Sequence, residues 1–262
     1  MSVNGVGVET ALRASRDRGR KLLVPYVTGG LGSDWVDVLR AMVAGGADAV
    51  EVGIPFSDPV MDGPTIQEAS QRSLQLGTTP PGIIHELRNV DVDVPLIAMT
   101  YYNLVFRGGH RRMAHSLADA GVRGAIIPDI PLEELDDWWP AAEDAGIETV
   151  LLAAPVTPDE RLDQICQRSK GFVYGVNVMG VTGERTTLGG AASVLAKRLK
   201  AITDKPVVMG FGVSTPEQAA EVAAVADGVV VASALMRLVL DGGGPEAVGE
   251  LVTRMREALD AG

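Results

Sequence analysis

Glu51 and Asp62 are the residues of this chain whose types and spacing are best suited to chemistry. They flank the segment Ile54-Pro55-Phe56-Ser57-Asp58-Pro59-Val60-Met61, which prolines keep from forming regular structure. Glu51 ends an aliphatic run, Ala49-Val50-Glu51-Val52-Gly53, at a point where a strand built only for packing would carry another aliphatic residue. Burying a charged carboxylate costs several kcal/mol or more unless it is paired or neutralised, and acids held in that way are frequent at functional sites. A core acid satisfied by a neighbouring backbone group or an arginine fits the strand position equally well. If the pair is functional, its chemistry is acid–base. One carboxyl whose pKa lies near the working pH can deliver a proton and then remove one, while a second, ionised carboxylate stabilises a cationic intermediate.

The rest of the sequence supplies a repeating pattern able to hold such residues at one end of a sheet. A charged helix over residues 9–18 precedes a first apolar strand at 21–28. Further strands follow at 47–53, 94–99, 124–129, 147–153, 171–174, 206–209 and 227–231. Helices are expected at 34–44, 65–76, 81–89, 111–119, 133–144, 158–168, 191–201, 216–224 and 245–258, with Pro64 suited to the first position of the second of these. Eight apolar strands alternating with helices, with no shift of composition at any linker, predict an α/β fold. The expected architecture is one (β/α)8 TIM barrel over residues 1–262 with an extra N-terminal helix. A doubly wound sheet is the alternative, but it more often uses fewer strands. The first strand–helix turn also lacks G-x-G-x-x-G, Gly29-Gly30-Leu31-Gly32 matching only in part.

In such a barrel the active site lies at the C-terminal ends of the strands. Glu51, Asp62, Asp129 and the segment from Tyr174 to Gly190 all fall on that face. Phosphate is often held there by the loops after strands seven and eight, here Gly210-Phe211-Gly212-Val213-Ser214 and Val231-Ala232-Ser233-Ala234. Both are small-residue turns entering helices, where free N–H groups and the helix dipole favour an anion. Taken singly, each is equally a glycine or alanine turn required only by geometry. No metal site is expected, because His85, His110 and His115 are scattered and the last two are off the i, i+4 spacing. No lysine is expected on the C-terminal face, which argues against Schiff-base catalysis. The residues thus suit metal-free acid–base chemistry on a phosphorylated small molecule.

Composition agrees. Of 262 residues 46% are hydrophobic and only 4% aromatic, so small aliphatic residues fill the core. A net charge of −11 argues against nucleic-acid binding. Cys166 is the only cysteine and is expected as apolar filler in a helix; a chain without disulfides suits the cytoplasm. No apolar run approaches the ~20 residues that span a bilayer, and no signal-peptide pattern is present.

Glu51-x-Gly53-x-Pro55-Phe56-Ser57-Asp58-Pro59-x-x-Asp62-Gly63-Pro64-x-Ile66-Gln67 resembles the signature of the tryptophan synthase alpha chain family. Tyr102-Asn103-Leu104-Val105-Phe106, Pro128-Asp129-Ile130-Pro131-Leu132-Glu133-Glu134, Gly180-Val181-Thr182-Gly183 and Gly210-Phe211-Gly212-Val213-Ser214 extend the match in order and spacing. The resemblance implies a barrel lyase that cleaves indole-3-glycerol phosphate to indole and glyceraldehyde 3-phosphate without metal or cofactor. It implies Glu51 as catalytic acid and base, and Asp62 as the group that binds the indole N–H and stabilises the cation. Tyr101, Asp129, Tyr174, Thr182 and Phe211 would line the substrate, and Gly183, Gly212, Ala232 and Ser233 would bind its phosphate. Asp58 and the Thr182-Gly183 segment would belong to closing loops. The implied partner is a pyridoxal-phosphate-dependent beta chain in an alpha2beta2 heterotetramer. An indole-glycerol-phosphate synthase would instead carry catalytic lysines at strand ends, which this sequence lacks, and intact Glu51 and Asp62 argue against a purely regulatory subunit. Three positions depart from the family pattern: Ala232 where glycine is common, Asn177 for serine, and Met61 for alanine.

Overall fold

The parallel strands of this protein are mostly aliphatic because both of their faces are covered. Leu22–Thr28, for example, is buried at every position. The computed structural model describes residues 6–177 and 188–262. Eight strands, β1 (Leu22–Thr28), β2 (Val50–Gly53), β3 (Leu96–Met99), β4 (Val122–Ile126), β5 (Glu148–Ala153), β6 (Val173–Val176), β7 (Val207–Gly210) and β8 (Gly228–Val231), pair in sequence order and close β8 onto β1. Every pairing is parallel. The expected (β/α)8 barrel is the fold.

Helices lie between and around the strands. In chain order they are α1 (Val8–Arg16), α2 (Trp35–Ala44), α3 (Pro64–Gln75), α4 (Pro80–Leu87), α5 (Tyr102–Gly108), α6 (His110–Asp119), α7 (Trp138–Ala145), α8 (Asp159–Arg168), α9 (Leu188–Ile202), α10 (Pro216–Ala223), α11 (Ser233–Leu240) and α12 (Pro245–Asp260). The last helix closes the outer ring by packing against α2 and α10. Cys166 is buried in α8 as a free thiol, the packing role expected of it.

The apolar interior divides in two. The larger cluster lies between strands and helices. A smaller one fills the barrel lumen, where Leu22, Val24, Ala49, Ile97, Ile126, Val150, Phe172, Val208 and Val230 meet Val8 and Leu12 of α1. The extra N-terminal helix is therefore a plug. Its positions i and i+4 enter the lumen, and Glu148 at the start of β5 accepts the backbone N–H of Glu9 at 2.8 Å, satisfying a first-turn donor of α1.

The structure shifts several expected elements. Strand β4 ends at Ile126 rather than reaching Asp129, because Pro128 offers no N–H and restrains the residue before it. The helix expected over 133–144 is a 3₁₀ turn, Leu132–Glu134, followed by α7. Strand β6 runs to Val176, beyond the expected end at 174. A short helix, α5, follows β3 where only a turn was expected, and the helix entered by the turn after β8 is α11, with Ser233 as its first residue.

Candidate active site

Strand alternation decides where Glu51 points. Successive side chains of β2 face opposite sides, and Ala49 belongs to the lumen cluster, so Glu51 and Gly53 face the lumen too. In register, Glu51 sits between Tyr26 of β1 and Ile97 of β3. It is 1% exposed, and its Oε2 has no hydrogen-bond partner among the described residues. The core acid satisfied by an arginine, which strand position alone allowed, is not what the fold builds here. Burial, reinforced by the negative charge of Asp62, pushes the Glu51 carboxyl up to about 8.

Asp62 reaches the same lumen mouth from the loop between β2 and α3. Its own burial raises it to about 6, opposed by a hydrogen bond from the Tyr101 hydroxyl. That hydroxyl also accepts the backbone N–H of Met61 at 3.0 Å, so Tyr101 ties down both the loop and its carboxylate. The Tyr101 ring stacks on Phe56, centroids 5.2 Å apart. The interaction of Met61 is through its backbone and its side chain is exposed, so the departure from alanine leaves this geometry untouched.

Two further phenols complete the mouth. Tyr174 feels the charges of Glu51, Asp62 and Tyr26, and its hydroxyl is held neutral well above the usual range, chiefly by burial. Tyr26 is raised in the same way, by burial first and then by Asp62, while its hydroxyl lies 3.4 Å from the Thr28 hydroxyl. Glycines make room for both rings. A Cβ at Gly53 would run into the Tyr26 hydroxyl, and one at Gly210 would lie 2.6 Å from Cε2 of Tyr174. Tyr26 was not singled out in the sequence, and only the β1–β2 register reveals it.

The remaining expected residues are placed unequally. Asp129 stands beyond the end of β4, is exposed, and accepts the backbone N–H of Tyr102 at 2.8 Å, at the first residue of α5. Phe211 is buried in the larger apolar cluster. Gly212 adopts φ +74°, which suits glycine, and a Cβ there would meet nothing within 4 Å. Past the turn after β7, Thr215 caps α10 through the N–H of Gln218 and the Gln218 side chain takes the N–H of Ser214. Helix α11 begins directly at Ser233 with Ala232 as its N-cap and no side-chain cap, leaving first-turn donors open beside the mouth. Thr182 and Gly183 lie outside the described residues. Among the described residues no group of His, Cys, Asp or Glu is arranged to hold a metal ion. His110 bonds the Tyr102 hydroxyl and His115 faces Asp144, both on the outer helices.

A barrel with two carboxyls of separated pKa at its C-terminal mouth, flanked by neutral phenols and an uncapped helix start, defines an acid–base enzyme acting on a small anionic molecule. Comparison with known proteins narrows the class. The family model for the tryptophan synthase alpha chain matches residues 12–258. A tryptophan synthase alpha chain from Halorhodospira halophila is 41% identical over 257 residues, covering 95% of this chain and 94% of the relative. One from Methanosarcina acetivorans is 45% identical over 226 residues, covering 86% and 81%. A solved structure of Mycobacterium tuberculosis tryptophan synthase superposes with TM-score 0.89 at 35% identity, covering 97% of this chain and 98% of that one. This chain belongs to the tryptophan synthase alpha chain family.

Proposed function

We propose that Glu51 and Asp62 are the pair with which this chain, a lyase of tryptophan biosynthesis, cleaves indole-3-glycerol phosphate to indole and glyceraldehyde 3-phosphate. The observation that carries the assignment is the state of Glu51: buried in the lumen, one oxygen without a partner among the described residues, and held protonated at neutral pH. A carboxylic acid in that state donates its proton to C3 of the indole ring, leaving a cation on the ring. The resulting carboxylate takes the proton of the glycerol hydroxyl, whose O–H electron pair forms the aldehyde carbonyl as the C–C bond breaks. The pair from that bond returns to the ring, neutralises it, and frees indole with Glu51 protonated again. Asp62, with the lower pKa, is ionised while Glu51 is not, and stabilises the ring cation.

The neighbouring residues fill supporting roles. Tyr101 positions Asp62, Tyr26 and Tyr174 bound the indole pocket as neutral phenols, and Phe211 backs its wall. Asp129 acts by fixing the start of α5 at the rim. The phosphate is held by the open first turn of α11 at Ala232 and Ser233 together with Gly212 and Gly183, and Thr182 contributes to substrate binding. None of these steps calls for a cofactor or metal in this chain. The working enzyme is the alpha2beta2 heterotetramer with a beta chain that carries pyridoxal phosphate. The match to a solved tryptophan synthase supports that assembly. A single, buried, free cysteine supports a cytoplasmic setting. Indole release by Glu51→Gln tests the assignment. The variant keeps shape and loses the titrating proton, so turnover should fall by roughly 10²–10⁴-fold with the fold intact by circular dichroism. Retention of most turnover would make Glu51 structural.

A further inference from the structure

Away from the barrel mouth, a cavity of about 600 Å³ opens between α4 and the α5–α6 pair on the outer helical layer. Among the described residues, none of those assigned to catalysis or phosphate binding lines it. That volume lies within the range of small-molecule sites, which are mostly apolar with a few placed polar groups. Its floor is apolar: Ile84 and Met113 are buried, and Leu104 is half-buried. Gly108 keeps the floor open, since a Cβ there would come within 3.1 Å of the Met113 methyl. Pro80 and Pro81 at the start of α4 stiffen one wall.

The rim is cationic. Arg88 of the segment ending α4, Arg107 of α5 and Arg112 of α6 converge on it with His85, and among the described residues no carboxylate lines the cavity. This is unusual in a chain of net charge −11. Arginines on neighbouring outer helices are held by acids, Arg111 by Asp144 and Arg161 by Glu133. Arg107 and Arg112 make no such ion pair among the described residues. Like charges gathered over an apolar floor repel one another, and an anion placed among them removes that repulsion. Guanidinium groups also match a carboxylate or sulfonate in a two-point contact and stack on flat rings.

We propose that this cavity binds a small organic anion with a flat apolar body, its ring lying on Ile84, Leu104 and Met113 and its charged group held by Arg107 and Arg112. The site is separate from the catalytic one, and its test does not depend on the assignment of Glu51. The probe is 8-anilino-1-naphthalenesulfonate, titrated by fluorescence into the full chain with saturating glycerol phosphate present to occupy the barrel mouth. The uncharged N-phenyl-1-naphthylamine serves as the partner probe. The expected result is one saturable sulfonate site per chain. Arg107→Gln/Arg112→Gln should raise its dissociation constant at least tenfold, while the uncharged probe changes less than twofold and indole release is unaltered. A second variant, Gly108→Leu, should weaken both probes by filling the floor. Sulfonate binding that is non-saturable, that vanishes with glycerol phosphate, or that survives the double arginine replacement within twofold would overturn the proposal.

Discussion

The two ends of the barrel bury acids in opposite ways. At the N-terminal end Asp48 accepts hydrogen bonds from Ser15 at 2.8 Å, the N–H of Leu23 at 2.9 Å, Arg20 at 3.0 Å and Arg256 at 3.2 Å. Asp227 is matched there by Lys200 at 2.6 Å and the N–H of Val207 at 2.9 Å. Glu148 also lies at that end and holds the plug helix by its backbone. At the C-terminal end, Glu51 is more buried than any of these and yet has an oxygen without a partner among the described residues. The contrast teaches that burial alone does not mark a functional acid. Partnered acids staple loops and strands together, and an unpartnered one keeps its proton available. The larger aliphatic framework pays the cost of holding it.

Substitutions can break this contrast from either side. The largest effect is expected at the partnered end. Asp48→Ala removes the shared acceptor of Ser15, the Leu23 N–H, Arg20 and Arg256. It leaves the buried Arg256 with Asp260 alone as an acid among the described residues, and breaking a buried pair in this way costs about 3–5 kcal/mol. Denaturant unfolding should show that loss, while indole release per folded molecule stays near normal. At the mouth, Asp62→Asn should do the reverse. Asparagine still offers an oxygen to the indole N–H but no charge to the ring cation, so kcat should fall by roughly 10²–10³ with KM much less affected. A large rise in KM at normal kcat would reduce Asp62 to a substrate holder. Smaller again is Ser233→Asp, which sets a like charge at the open turn of α11. It should raise the dissociation constant of glycerol phosphate by about tenfold at low salt, consistent with ~1 kcal/mol or more for charges a few ångströms apart, and salt should relieve part of it. No change would move the phosphate elsewhere.

The sequence made the alternation of strands and helices legible because each strand is a local apolar run and each turn carries its own proline or glycine. It also placed Glu51 and Asp62 at the correct end of the barrel. What it left undecided about Glu51 was its partnering, which depends on residues distant in the chain: Arg256 turned out to serve Asp48 instead. Tyr26 escaped notice for the same reason, since its place opposite Glu51 is set by strand register and by the missing side chain of Gly53. Asp129 looked like a strand-end residue because Ile126-Ile127 continues the apolar run, and only the proline after it shows that the ladder has stopped. Helix α5 was missed because seven residues carrying asparagine and glycine give little periodicity to detect.

Thermal stability of the natural chain and of Glu51→Gln, compared across pH 5 to 9, distinguishes a proton-holding Glu51 from a structural one. A carboxyl raised from its usual value to about 8 by folding binds more protons in the native state than in the unfolded one throughout that interval. Its protonated form is the stable one, so stability falls as pH rises from the unfolded value near 4.5 and levels off above about 8. Glutamine has no proton to lose. The account predicts that the variant becomes progressively more stable than the natural chain as pH increases, with the difference flattening above pH 8, while its indole release is lost at every pH. A variant that is less stable than the natural chain by a constant amount across the range would contradict it, and would place Glu51 among the partnered acids with Asp48.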